Sequence, residues 1–144
     1  MRRALTIFAF LCCILCCLAP ALGEVRIEAS NGGEVGHFIR FFNLLRQSGE
    51  RVVIDGPCYS ACTLVLTMIP RDRLCVTRRA VLGFHAPILV DDYGREYSTA
   101  KATRAVNAVY PAEIRDWIRR HGGLSRRVIY LRGRALDALY PLCR

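Results

Sequence analysis

The chain has 144 residues, 53% of them hydrophobic, and a formal net charge of +9 carried almost wholly by arginine. That length fits one domain with a single modest core rather than several. A basic surface can meet nucleic acid or anionic lipid, but no recognised nucleic-acid motif or aromatic interleaving accompanies the scattered arginines, so no nucleic-acid partner is expected.

Residues 1–23 read as a secretory signal peptide. Met1-Arg2-Arg3 is a basic start, Ala4 to Ala19 is almost wholly apolar, and Ala21-Leu22-Gly23 offers small residues at the cleavage positions. The run is short for a membrane span and ends in Pro20, so cleavage is favoured over anchoring and no stable span is expected afterwards. Cleavage leaves a single domain over 24–144 and removes Arg2 and Arg3, taking the charge from +9 to +7. The expected location is the periplasm or the exterior. Four cysteines remain there, Cys58, Cys62, Cys75 and Cys143, and an even number in an exported chain reads as two disulfides. Three pairings exist. Cys58 with Cys62 and Cys75 with Cys143 is preferred, the first being local across a turn and the second tying down the C-terminal segment. No spacing matches a zinc site, and no metal or cofactor is expected.

In chain order, Val25 to Ala29 alternates as a half-buried strand and breaks at Ser30-Asn31-Gly32-Gly33. Phe38, Phe41, Phe42 and Leu45 recur at helical spacing until Gln47-Ser48-Gly49. Val52-Val53-Ile54 is an apolar run typical of a strand covered on both faces. A buried helix is expected from Ser60 through Ile69, stopped by Pro70, then short strands at 74–77 and 81–84. Asp91 to Gly94 is a polar turn, Thr99 to Ala108 a helix, and a second helix follows Pro111 with Ile114, Trp117, Ile118 and His121 on one face. Gly122-Gly123 ends it, and Val128 to Leu131 reads as a last strand. This alternation implies an α/β fold with a mainly parallel sheet.

Three motifs carry chemistry. Ser60 lies in Gly56-Pro-Cys-Tyr-Ser60-Ala-Cys62, where an apolar strand gives way to a helix, and His85 ends Ala80-Val-Leu-Gly-Phe-His85 before Ala86-Pro87. A serine hydroxyl needs a base within hydrogen-bond reach to act as a nucleophile, and an imidazole supplies one. Gly32-Gly33 is the third motif. Gly33 lies 27 residues before Ser60, and His85 lies 25 after it. In order and spacing the three motifs resemble the serine-protease branch of the Clp protease/crotonase superfamily, in particular its small exported members. The resemblance covers about 25–87 well and the remainder loosely.

That resemblance implies a Clp/crotonase-like α/β fold of ββα-type units, truncated at its N-terminus. It implies Ser60 as nucleophile, His85 as general base, and the N–H groups of Gly33 and Ala61 as an oxyanion hole. It also implies a peptide or other acyl substrate, with turnover needing no cofactor. The family places an acid well downstream of the histidine. Asp137 falls about one residue from that place, although Arg134-Ala-Leu-Asp-Ala-Leu-Tyr departs from the family pattern. The preceding strand–helix unit is missing, leaving a sheet edge open to a partner, including another copy of the chain. The expected function is therefore an exported, peptidase-like serine hydrolase. The alternative is an inactive binding or assembly module on the same scaffold, and redox chemistry at Cys58/Cys62 is a distant third.

Overall fold

The computed structural model describes residues 23–144; the leader read over 1–23 lies, apart from Gly23, outside them. Three strands, β1 (Glu24–Ile27), β2 (Arg51–Ile54) and β4 (Leu74–Val76), form a parallel sheet in the order β1-β2-β4. A second sheet orders β3 (Pro57–Tyr59), β5 (Val81–Phe84) and β8 (Ile129–Arg132), with β3 parallel and β8 antiparallel to β5. The expected α/β class and mainly parallel pairing stand, divided between two small sheets instead of one. Val52, Val53, Ile54, Leu82 and Phe84 are fully buried, which is why these runs carry no polar alternation.

Each strand of the first sheet leads across a common seam into the second. The chain beyond β1 bridges Ser30 to Cys58, β2 runs into β3, and β4 runs into β5. Backbone hydrogen bonds tie the crossings side by side: Asp55 N donates to Ile27 O at 2.8 Å, Thr77 N to Ile54 O at 2.9 Å, and Val81 N to Gly56 O at 3.2 Å. The approach at the seam is close. A Cβ on Gly56 would fall 1.9 Å from Glu28 O, so only glycine fits.

Five α-helices complete the described residues. The first, α1 (Val35–Ser48), ends at Gly49 in the left-handed conformation, as the sequence signal requires. It buries Phe42 and Leu45 while Phe41, expected on the inner face, is 43% exposed. The continuous helix expected from Ser60 is instead a 3-10 turn, Ser60–Leu64, followed by a single α-turn, α2 (Val65–Met68). Next come α3 (Ala100–Val109), capped by Thr99 Oγ1 accepting from Ala102 N at 3.1 Å, and α4 (Ala112–Arg120). α4 buries Ile114, Trp117 and Ile118, whereas His121 is exposed and stacks on Trp117 with ring centroids 4.0 Å apart. A hairpin that the sequence reading lacked, β6 (Leu89–Val90) and β7 (Glu96–Tyr97), encloses the Asp91–Gly94 turn. α5 (Arg134–Asp137) follows β8. Among the described residues no helix is long and apolar enough to cross a membrane.

Both preferred disulfides form. Cys58–Cys62 spans the 3-10 turn, and Cys75–Cys143 fastens the C-terminal segment to β4, beside a bridge of Leu142 to Val76. Among the described residues β1 pairs with β2 alone.

Candidate functional site

The strand register brings the three motifs to one edge of the second sheet. Ser30 pairs with Cys58 and Cys58 with Leu82, so these three residues stand level. Gly32-Gly33 follow Ser30 by two and three residues, Ser60-Ala61 follow Cys58 by the same steps, and Phe84-His85 follow Leu82. Gly32 lies against the serine turn, since a Cβ on it would fall 2.5 Å from Ser60 Cβ, and His85 directly follows β5, the strand beside β3.

Ser60 is held in a conformation that its side chain disfavours. Its φ is +54°, the sole positive φ at a non-glycine residue among those described. Such a conformation costs an L-residue about 1–2 kcal/mol and persists only where the surroundings impose it. Several contacts do so. Ser30 N donates to Pro57 O at 2.7 Å and Tyr59 N to Ser30 O at 2.9 Å, clamping the glycine loop alongside β3. The Cys58–Cys62 bond closes the turn from beneath, with both cysteines buried. Fully buried Thr63 donates its hydroxyl to Ser60 O at 2.6 Å, so the Tyr110 hydroxyl, 2.6 Å away, must donate to Thr63 Oγ1. Burial pushes the Tyr110 phenol pKa up, which keeps that donor protonated.

Gly32 touches this turn directly. With φ at +84°, a Cβ there would lie 2.5 Å from Ser60 Cβ and 2.7 Å from Tyr59 O. The adjacent Gly33 N–H has no acceptor among the described residues. Ala61 N–H stands in the first turn of a helix, where backbone donors lack intrahelical partners.

His85 is half-buried, and its Nδ1 lies 2.7 Å from Ala86 O. A carbonyl only accepts, so Nδ1 carries the proton and Nε2 presents its lone pair. Among the described residues His85 forms no hydrogen bond to Ser60. Nor does the structure bring Asp137 to it. β8 is antiparallel to β5, pairing Ile129 with Phe84 and Arg132 with Val81, so Asp137 follows the end of the sheet remote from His85. It is exposed on α5. The downstream stretch that does approach is at Ser125, whose carbonyl accepts from Ala86 N at 2.7 Å. Asp91 is occupied within its own turn, where the Arg95 backbone N–H and side chain hold its carboxyl below the usual range.

Tyr59 is half-buried and packs against Tyr130 at 5.5 Å; a Cβ on Gly83 would fall 2.6 Å from its ring. His37 is exposed and lies 3.3 Å from Glu34.

One buried charge escaped the sequence reading. Asp55 is 5% exposed at the seam, where it accepts from Arg79 Nε at 3.0 Å, Thr77 Oγ1 at 2.7 Å and Arg26 Nη1 at 2.9 Å. Arg79 foremost, then Thr77 and Arg26, hold its carboxyl far below the ordinary range. Thr77 and Arg79 belong to the β4–β5 crossing and Asp55 to the β2–β3 crossing, so this carboxylate stitches the two together. Its partners lie more than 20 residues away in sequence, which is why no local pattern revealed it.

Among the described residues no group of three or more metal-ligating side chains gathers. No protein-family model, curated protein or solved structure matches the chain.

Proposed function

We propose that the protein is an exported serine hydrolase of peptidase type on a Clp/crotonase-like scaffold. Ser60 is the nucleophile, His85 the base, and the N–H groups of Gly33 and Ala61 the oxyanion donors. The observation that carries this reading is the strained Ser60 turn pressed against Gly32. Strain held by a disulfide and a buried hydrogen-bond chain costs stability, and an ordinary helix cap has no need of it.

In this mechanism a side-chain rotation brings Ser60 Oγ–H to His85 Nε2. The proton passes to Nε2 as Oγ attacks the acyl carbon, and the resulting oxyanion is held by Gly33 and Ala61, each such donor being worth roughly 10²–10³ in rate. Nε2 then returns the proton to the leaving group, giving an acyl-enzyme. Water attacks that ester with the same histidine as base, releasing the acid and restoring the serine. Ala86 O takes the orienting role that a carboxylate fills in a triad.

Labelling the oxidised protein with a fluorophosphonate and mapping the adduct tests the proposal. The expected result is one adduct on Ser60, absent in Ser60→Ala and slowed at least about tenfold in His85→Ala. An unlabelled wild type overturns it in favour of a second reading, an inactive binding or assembly module. The missing Ser60–His85 hydrogen bond and the remote Asp137 favour that alternative.

A further inference from the structure

A relay of two hydroxyls runs from the junction of α3 and α4 to the Ser60 turn. Tyr110 lies between the end of α3 and Pro111 ahead of α4, and its hydroxyl meets that of Thr63, 47 residues away in sequence, at 2.6 Å. Thr63 passes the contact on to Ser60 O, also at 2.6 Å. Donation from a threonine to a carbonyl one turn back is a common local bond. The second hydroxyl is not local. Thr63 is wholly buried and Tyr110 is 4% exposed, so the relay is closed to solvent and its members depend on one another. The junction is itself fastened, since Arg115 Nη1 donates to Tyr110 O at 2.5 Å and Thr67 Oγ1 to Val109 O. The Tyr110 ring meets Phe84 edge-on with centroids 5.3 Å apart, and Phe84 directly precedes His85. Tyr110 therefore touches the strand end that carries the imidazole and, through Thr63, the turn that carries the serine.

The acceptor of the relay belongs to a particular peptide. Ser60 O and Ala61 N–H are the two ends of one amide, which is planar and trans. Fixing the carbonyl toward Thr63 turns the N–H to the opposite side of the peptide. Gly32 approaches that nitrogen: a Cβ there would stand 3.1 Å from Ala61 N. A hydrogen bond accepted at the carbonyl also polarises the amide and strengthens its N–H as a donor, by about 10–30% per bond. On the other side of Ser60, Tyr59 N is clamped to Ser30 O at 2.9 Å, so fixing this plane leaves Ser60 no freedom to quit the left-handed region. We propose that Thr63 and Tyr110 are positioning residues for the serine site: their relay holds the Ser60–Ala61 peptide plane, and with it the left-handed Ser60 and the aim of the Ala61 N–H. This inference rests on the reading of Ser60 as nucleophile. Neither residue touches substrate.

The test compares three variants. Thr63→Val keeps the shape and removes the hydroxyl, Tyr110→Phe keeps the ring and removes the first donor, and Thr63→Ser keeps the hydroxyl. Each is read by the rate of fluorophosphonate labelling across pH and by NMR of the Ser60 carbonyl carbon and the Ala61 amide. Labelling is expected to slow about tenfold in Thr63→Val and about threefold in Tyr110→Phe, and to recover to within about twofold of wild type in Thr63→Ser. The pH midpoint stays at its wild-type value, since His85 is untouched. The two resonances are expected to move upfield together in Thr63→Val and Tyr110→Phe and to return in Thr63→Ser. Wild-type rates in both hydroxyl deletions, or Thr63→Ser as slow as Thr63→Val, overturn the proposal. A displaced pH midpoint does so too, because it puts the effect on His85. Should Thr63→Val not fold, Tyr110→Phe and Thr63→Ser decide. An unlabelled wild type sinks the hydrolase reading alone; the two resonances then decide whether the relay holds the peptide, and unmoved resonances overturn it.

Discussion

The two disulfides close loops of very different length, and this separates their roles. Cys58 and Cys62 lie 4 residues apart, whereas Cys75 and Cys143 lie 68 apart. On the chain-entropy account, cross-linking removes entropy from the unfolded chain in proportion to the logarithm of loop size. The short loop then contributes about 2 kcal/mol at 25 °C and the long one about 4 kcal/mol. For a domain of this size, melting should fall by roughly 6–10 °C without the short bond and by roughly 12–20 °C without the long one. The perturbations are the paired variants Cys58→Ala/Cys62→Ala and Cys75→Ala/Cys143→Ala, measured by thermal unfolding and by fluorophosphonate labelling under folded conditions. The order should invert between the assays. Loss of the long bond costs more stability, while loss of the short bond, which braces the Ser60 turn, slows labelling more. If the short pair proves as stabilising as the long one, native packing around Ser60 dominates and the entropic division of labour is wrong.

Three further outcomes follow from the geometry. Ser60→Gly relieves the positive φ and should raise stability by about 0.5–1 kcal/mol in urea while abolishing labelling, the signature of a serine kept at a cost. Gly32→Ala places a Cβ 2.5 Å from Ser60 Cβ at a φ of +84°, and should destabilise the fold by about 2–4 kcal/mol and abolish labelling as the turn is displaced. Asp55 has its pKa depressed in the fold, so its contribution is complete above the unfolded value of about 4 and is lost as pH falls through the folded value. Urea midpoints of the wild type should therefore drop below about pH 4, and Asp55→Asn should show a flatter acid limb.

Most elements were legible because their signals are local. The apolar run Val81–Phe84 is a strand over those same residues, and Gly49 ends α1 in the left-handed conformation that glycine permits. β3 was missed because three residues beginning with proline carry no periodicity. The 3-10 path after Ser60 is likewise invisible, since an apolar segment of nine residues suits an α-helix equally well. Phe41 satisfied the helical spacing yet faces outward, because a period marks a stripe without saying how wide its covering is. In the site, Gly32-Gly33, Ser60 and His85 could be read as motifs, but the contact of Gly32 with the Ser60 turn depends on how the chain beyond β1 lies beside β3. Asp137 matched a sequence distance. The antiparallel course of β8 carries it to the other end of the sheet.

The three side-by-side crossings have a consequence for how such a chain can vary. Gly33, Ala61 and His85 each stand three residues past one level row, Ser30, Cys58 and Leu82. One residue inserted in β5 between Leu82 and His85 would advance His85 by about 3.3 Å and turn its neighbours to the opposite face. What selection can least alter here is spacing: insertions are tolerable in the hairpin at Asp91–Gly94 and ruinous in the few residues between seam and edge.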